Sequence, residues 1–124
     1  MSNIAEKIKQ AEDRKTVIHE VEEWGVSLHL VEPTMAEVQS LNDNYLNLTT
    51  DGELGEKSNV TMFNWALLAL CIHDASGFRV FQTPEEAEET LGGKAARVVG
   101  EIVVKCGELA GPPGEEEIQE AEKH

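Results

Sequence analysis

The sequence predicts an α+β fold, mainly helical, in which an N-terminal β-hairpin packs on a small bundle of about four helices. Three observations carry that reading. Apolar residues alternate with polar ones between 16 and 32, the period of a half-buried strand. Residues 60–72 are apolar nearly all round a helical wheel, as in a buried helix. Over residues 94–109, Ala95, Val98, Val99, Ile102, Val103, Cys106 and Leu109 or Ala110 recur at spacings of three and four, as on one face of an amphipathic helix.

Taken in order, residues 4–15 are charged, with Ile4, Ile8 and Ala11 on one helical face and little else to bury. They read as a weakly ordered segment or frayed helix ahead of a single globular unit at 16–110. In the hairpin, Val17, His19 and Val21 alternate on one side of Gly25 and Val26, Leu28 and Leu30 on the other. A turn centred on Trp24 and Gly25 sets Val21 opposite Leu28 and His19 opposite Leu30. Such a hairpin is marginal in water, so its apolar face must lie on helices.

Pro33 stops the second strand, and Thr34 followed by Glu37 forms a capping box that starts a helix over 35–46. Met35, Val38, Leu41 or Ala36, Tyr45 and Leu46 make its imperfect apolar stripe. Residues 49–57 hold Gly52, Gly55 and acids without a period and read as a surface loop. Ser58 and Asn59 are cap candidates for the central helix over 60–72. Full burial of Leu67, Leu68, Leu70 or Ile72 there is worth roughly 1.5–3 kcal/mol each. Turn chemistry at 73–77 ends that helix, and a short extended piece follows at 78–81. Thr83, Pro84 and Glu86 then supply a cap, an N1 proline and an acid in the first turn for a brief helix ending at Leu91. The β-branched residues of the last helix make it depend on tertiary contacts more than on intrinsic propensity. Pro112 and Pro113 lie between glycines and break the chain, leaving an acidic tail at 111–124 that is expected to be disordered.

Charge and cysteine content narrow the function. With 24 acids against 10 bases the formal charge is −14, and no basic cluster offsets it, so a nucleic acid partner is not expected. The longest apolar run is far short of the ~20 residues that cross a bilayer. The polar start lacks the basic-then-apolar signature of a signal peptide, so no membrane association is expected and the cytoplasm is the expected compartment. Cys71 and Cys106 sit in apolar segments and read as small buried hydrophobes in a reducing compartment.

Catalytic pieces are few. Cys71 and His73 place a thiol two residues from an imidazole, but helix positions two apart point about 200° apart. His73 reads instead as a residue that ends a helix near its negative pole. His19 and His29 would face each other across the hairpin if its loop held three residues, yet no third or fourth metal ligand is specified. Neither Gly52 with Gly55 nor Gly92 with Gly93 is followed by the Lys-Ser or Lys-Thr of a phosphate-binding loop. No catalytic residue, cofactor or metal is expected. The candidate site is a partner-binding one, the stripe Val98, Val99, Ile102 and Val103, which can serve the core or share its face with a partner helix.

Together these segments resemble the tail assembly chaperone families of long-tailed bacteriophages, over about residues 21–109. The resemblance is carried by the hairpin around Glu23, Trp24 and Gly25, the Thr34-capped helix, and above all Leu70-Cys71-Ile72-His73-Asp74 leading into Phe81 and the Thr83-Pro84 cap. It implies a non-enzymatic protein of the host cell cytoplasm, absent from the mature virion, that binds the tape measure protein and keeps it soluble. It further implies recruitment of tail tube protein through a frameshifted longer form, whose extension would begin near the Gly111 break. The alternative class is another small phage structural or regulatory adaptor. The oligomeric state is not specified by the sequence.

Overall fold

A computed structural model describes residues 3–46 and 58–111, so the loop expected at 49–57 and the tail expected beyond 111 lie outside the described residues. The fold is α+β. Strands β1 (Thr16–Val21), β2 (Val26–Val31) and β3 (Ile72–His73) form an antiparallel sheet in the order β1-β2-β3. Among the described residues five helices accompany it: α1 (Ile4–Gln10), α2 (Met35–Tyr45), α3 (Val60–Cys71), α4 (Pro84–Leu91) and α5 (Ala96–Ala110).

The hairpin register differs from the expected one. Val21 pairs with Val26, His19 with Leu28 and Val17 with Leu30, a shift of two positions along β2. The connection is tighter than expected, four residues (22–25) between paired positions where the expected pairing leaves six (22–27). Glu22–Trp24 form one turn of 3-10 helix, and Gly25 closes it at φ +66, its N–H donating to the Glu22 carbonyl at 3.1 Å. A positive φ suits glycine because it has no Cβ to clash. Side chains alternate with period two, so a shift of two leaves the faces unchanged. His19, Val21 and Leu30 are buried and Leu28 is half-buried, all on the inward side, as the alternation required.

The second difference lies at the end of α3. The helix stops at Cys71, and Ile72 is already extended, pairing with Leu30 while His73 pairs with His29. A third strand therefore occupies positions expected to be the last helical residue and a turn. Local hydrogen bonds stop the helix early. Nε2 of His73 lies 3.1 Å from the Leu70 carbonyl and Nδ1 3.2 Å from that of Gly77. The Asp74 carboxylate accepts from the N–H groups of Ser76 and Phe78, and Gly77 takes φ +88. The chain then runs back along β3, with Asp74 N–H donating to Phe78 and Val80 N–H to Ile72.

The helix starts follow the sequence closely. Thr34 and Glu37 make the reciprocal capping box, Asn59 accepts from Met62 N–H, and Thr83 accepts from Glu86 N–H with Pro84 at the first helical position. No side chain caps α5, which begins at Ala96 rather than Lys94. Leu30, Leu68, Cys71, Ile72, Ile102 and Cys106 are fully buried, so the core sits where α3 and α5 cross the inner face of β2 and β3. Of the four residues expected to anchor the central helix region, Leu67, Leu68 and Ile72 are buried whereas Leu70 is half-buried. Helices α2 and α4 flank α3, contributing Leu41, Ala87 and Leu91 to the same core.

Candidate functional site

Neighbouring positions on a helix differ by about 100°, and that angle divides the stripe singled out on α5. Val98 and Ile102 point into the core, at 3% and 0% exposure. Val99 and Val103 stand on the next ridge, half-buried, and line a groove of about 440 Å³ between α3 and α5. The opposite wall is α3, through Thr61, Asn64, Trp65 and Leu68, and the turn after α4 closes one end with Leu91, Gly92 and Lys94. Among the described residues that line it, Lys94 is the only charged one.

Gly100 lies along the α5 wall, and a Cβ built there would meet nothing within 4 Å. The groove therefore has an aromatic and aliphatic floor, neutral polar groups from Thr61 and Asn64 on one rim, and a low wall on the other. Apolar surface of this kind is what an amphipathic helix can be laid into. Of the four α5 residues singled out in the sequence, Val99 and Val103 line this groove and Val98 and Ile102 do not. The α3 wall was hidden because that helix is apolar nearly all round, so its pattern does not show which part of its circumference stays open.

The remaining candidate residues are engaged elsewhere. Cys71 and Cys106 are both free and fully buried. A hydrogen bond with the Cys71 thiol, helped by burial, pushes the Cys106 thiol far above the ordinary value. This disfavours a thiolate, the form that reacts. Cys71 is thus partnered by Cys106, while the His73 ring is held between two carbonyls.

His19 and His29 occupy opposite faces of the hairpin. The first is buried and accepts from Lys105 Nζ at 2.8 Å, and the second stands opposite Ile18 and His73. Among the described residues no group of three or more His, Cys, Asp or Glu side chains is placed to hold a metal ion, and no helix is long and apolar enough to cross a membrane.

A second cleft, of about 300 Å³, lies between α2 and α3 and includes Glu37 and Arg79. It is bridged by charge. Glu37 accepts from Thr34 N–H at 2.9 Å and from Arg79 at 2.8 Å, with Arg14 3.8 Å away. This carboxylate ties the approach to β1, the start of α2 and the segment after β3 into one cluster.

The fold is that of a small α+β protein with an open groove between two of its helices. No family model matches the chain, and no curated protein matches it by sequence. Among solved structures its fold is similar to that of the tail assembly chaperone of bacteriophage HK97, with a TM-score of 0.53 and 19% sequence identity. The match covers 87% of this chain and 98% of the HK97 protein. The likeness thus embraces nearly the whole of both molecules, and the chain has the fold of a phage tail assembly chaperone.

Proposed function

We propose that this chain is a tail assembly chaperone of a long-tailed bacteriophage, which binds the tape measure protein, keeps it soluble and helps recruit tail tube subunits. The observation that carries the reading is the fold likeness to the HK97 chaperone across 98% of that protein. Two features of this chain support it. The α3–α5 groove offers apolar surface of the kind that takes up a partner helix. A formal charge of −14 also keeps a complex with an apolar partner dispersed, because like-charged particles resist association.

In this reading the chain holds the tape measure protein in the host cell cytoplasm, before tube subunits assemble around it, and leaves no copy in the mature virion. Tube recruitment belongs to a frameshifted longer form. No catalytic step, cofactor or metal enters. The test is co-expression with the tape measure protein of the same phage. A several-fold rise in its soluble fraction is expected, and an unchanged fraction overturns the proposal. Stoichiometric presence of the chain in purified virions would instead mark a structural component.

A further inference from the structure

The groove between α3 and α5 has a polarity. We propose, building on the chaperone reading, that it seats one apolar helix of the partner with the C-terminal end of that helix at Lys94, where a partner carboxylate meets the ammonium, and with the partner backbone drawn close over Gly100.

Charge complementarity identifies the end. The chain carries 24 acids, yet among the described residues no carboxylate lines this groove, and Lys94 is the one charged residue that does. A helix has partial negative charge at its C-terminus, and an acidic side chain there adds to it. Seated with that end at Lys94, the partner brings its negative pole to the ammonium. The reverse orientation sets a positive pole against it. Ala96, Val99, Gly100 and Val103 span about 10 Å along α5 at 1.5 Å per residue, so the lined wall accommodates about two turns of a guest helix.

Gly100 identifies the close approach. Glycine within a helix is disfavoured relative to alanine, so its position calls for a reason. At Gly92 and Gly111 the reason is internal: a Cβ on Gly92 would lie 2.5 Å from the Glu88 carbonyl oxygen, and one on Gly111 2.9 Å from that of Gly107. Among the described residues nothing stands within 4 Å of a Cβ built on Gly100, nor of one on Gly107, which lies two turns on and on the same side of α5. The missing side chains leave room for an outside backbone.

The probes are two synthetic amphipathic helical peptides of 18 or so residues, with one apolar stripe in common and either Glu or Lys in the last turn. Binding to the full chain is read by anisotropy of a label on the peptide and by a change in tryptophan emission that is lost in Trp65→Phe. The Glu peptide is expected to bind at least ten-fold tighter than the Lys peptide. That preference should vanish or invert in Lys94→Glu, and Gly100→Leu should weaken the Glu peptide at least ten-fold while the thermal midpoint does not fall. Equal affinities, a preference that survives Lys94→Glu, or no binding of either peptide overturns the assignment. The same variants separate this idea from the one beneath it. If Gly100→Leu and Lys94→Glu solubilise the tape measure protein as well as the native chain does, the groove is not the seat and the chaperone reading stands. If the native chain itself fails, the reading falls.

Discussion

Lys105 donates a hydrogen bond from Nζ to Nδ1 of His19 across 2.8 Å, tying α5 to β1 at a point where the imidazole is 8% exposed. The bond joins residues 86 positions apart and gives a polar group on the inward face of the hairpin its partner. A buried acceptor left unpaired costs about 1–3 kcal/mol. Lys105→Ala should therefore lower unfolding free energy by about 1 kcal/mol or more in urea titrations, and Lys105→Gln, which still carries a donor, by less. Equal losses would show that the bond is incidental.

Glu37 sets an acid limit on stability. Burial alone would raise its carboxyl, but hydrogen bonds from Thr34 and Arg79 together with the charge of Arg14 outweigh burial and hold it below the ordinary 4.5. A carboxylate held lower in the folded state stabilises above its unfolded value and loses that contribution as the pH falls toward the folded one. Unfolding free energy should thus decline below about pH 4.5, and Glu37→Gln should flatten that decline while costing about 1–2 kcal/mol at neutral pH. An unaltered acid profile in Glu37→Gln would refute the assignment.

The paired thiols set the opposite limit. Cys106 is held protonated in the folded chain by Cys71 and by burial, whereas an unfolded thiol ionises near its ordinary 9.0. A raised folded value gives stability that is intact below about pH 9 and diminishes above it. Both thiols should resist an aromatic disulfide reagent at pH 8 until the chain unfolds. Rapid native-state labelling of either one would contradict the burial described.

Two glycines should respond in opposite ways to the same change. Gly100→Ala replaces a helix-interior glycine where a Cβ meets open space, so it should stabilise by about 0.5–1 kcal/mol. At Gly92 the added Cβ would meet a backbone carbonyl oxygen at 2.5 Å, and Gly92→Ala should destabilise. Thermal unfolding of the pair decides it.

What the sequence made legible was chiefly local. Thr34 with Glu37 and Thr83 with Pro84 define their helix starts through contacts within one turn, and both lie where expected. The hairpin faces followed from alternation, but its register depended on Glu22–Trp24 winding into a 3-10 turn, which alternation does not encode. Strand β3 was hidden for a different reason. Ile72 and His73 become a strand by pairing with Leu30 and His29, more than forty positions earlier, so no local pattern announces it. Likewise the stripe on α5 was visible as a stripe, while the division that buries Val98 and Ile102 and leaves Val99 and Val103 beside a groove depends on how α3 lies against it.

Helix α3 passes into β3 with no intervening linker, Cys71 being its last helical residue and Ile72 already bonded into the sheet. The helix cannot swivel about its long axis without unzipping that junction, so Thr61, Asn64 and Trp65 are presented on a keyed shaft. An incoming segment then finds its berth already shaped and spends little of its grip on reorganising the host. Differences among guests should accordingly reside in how slowly they leave.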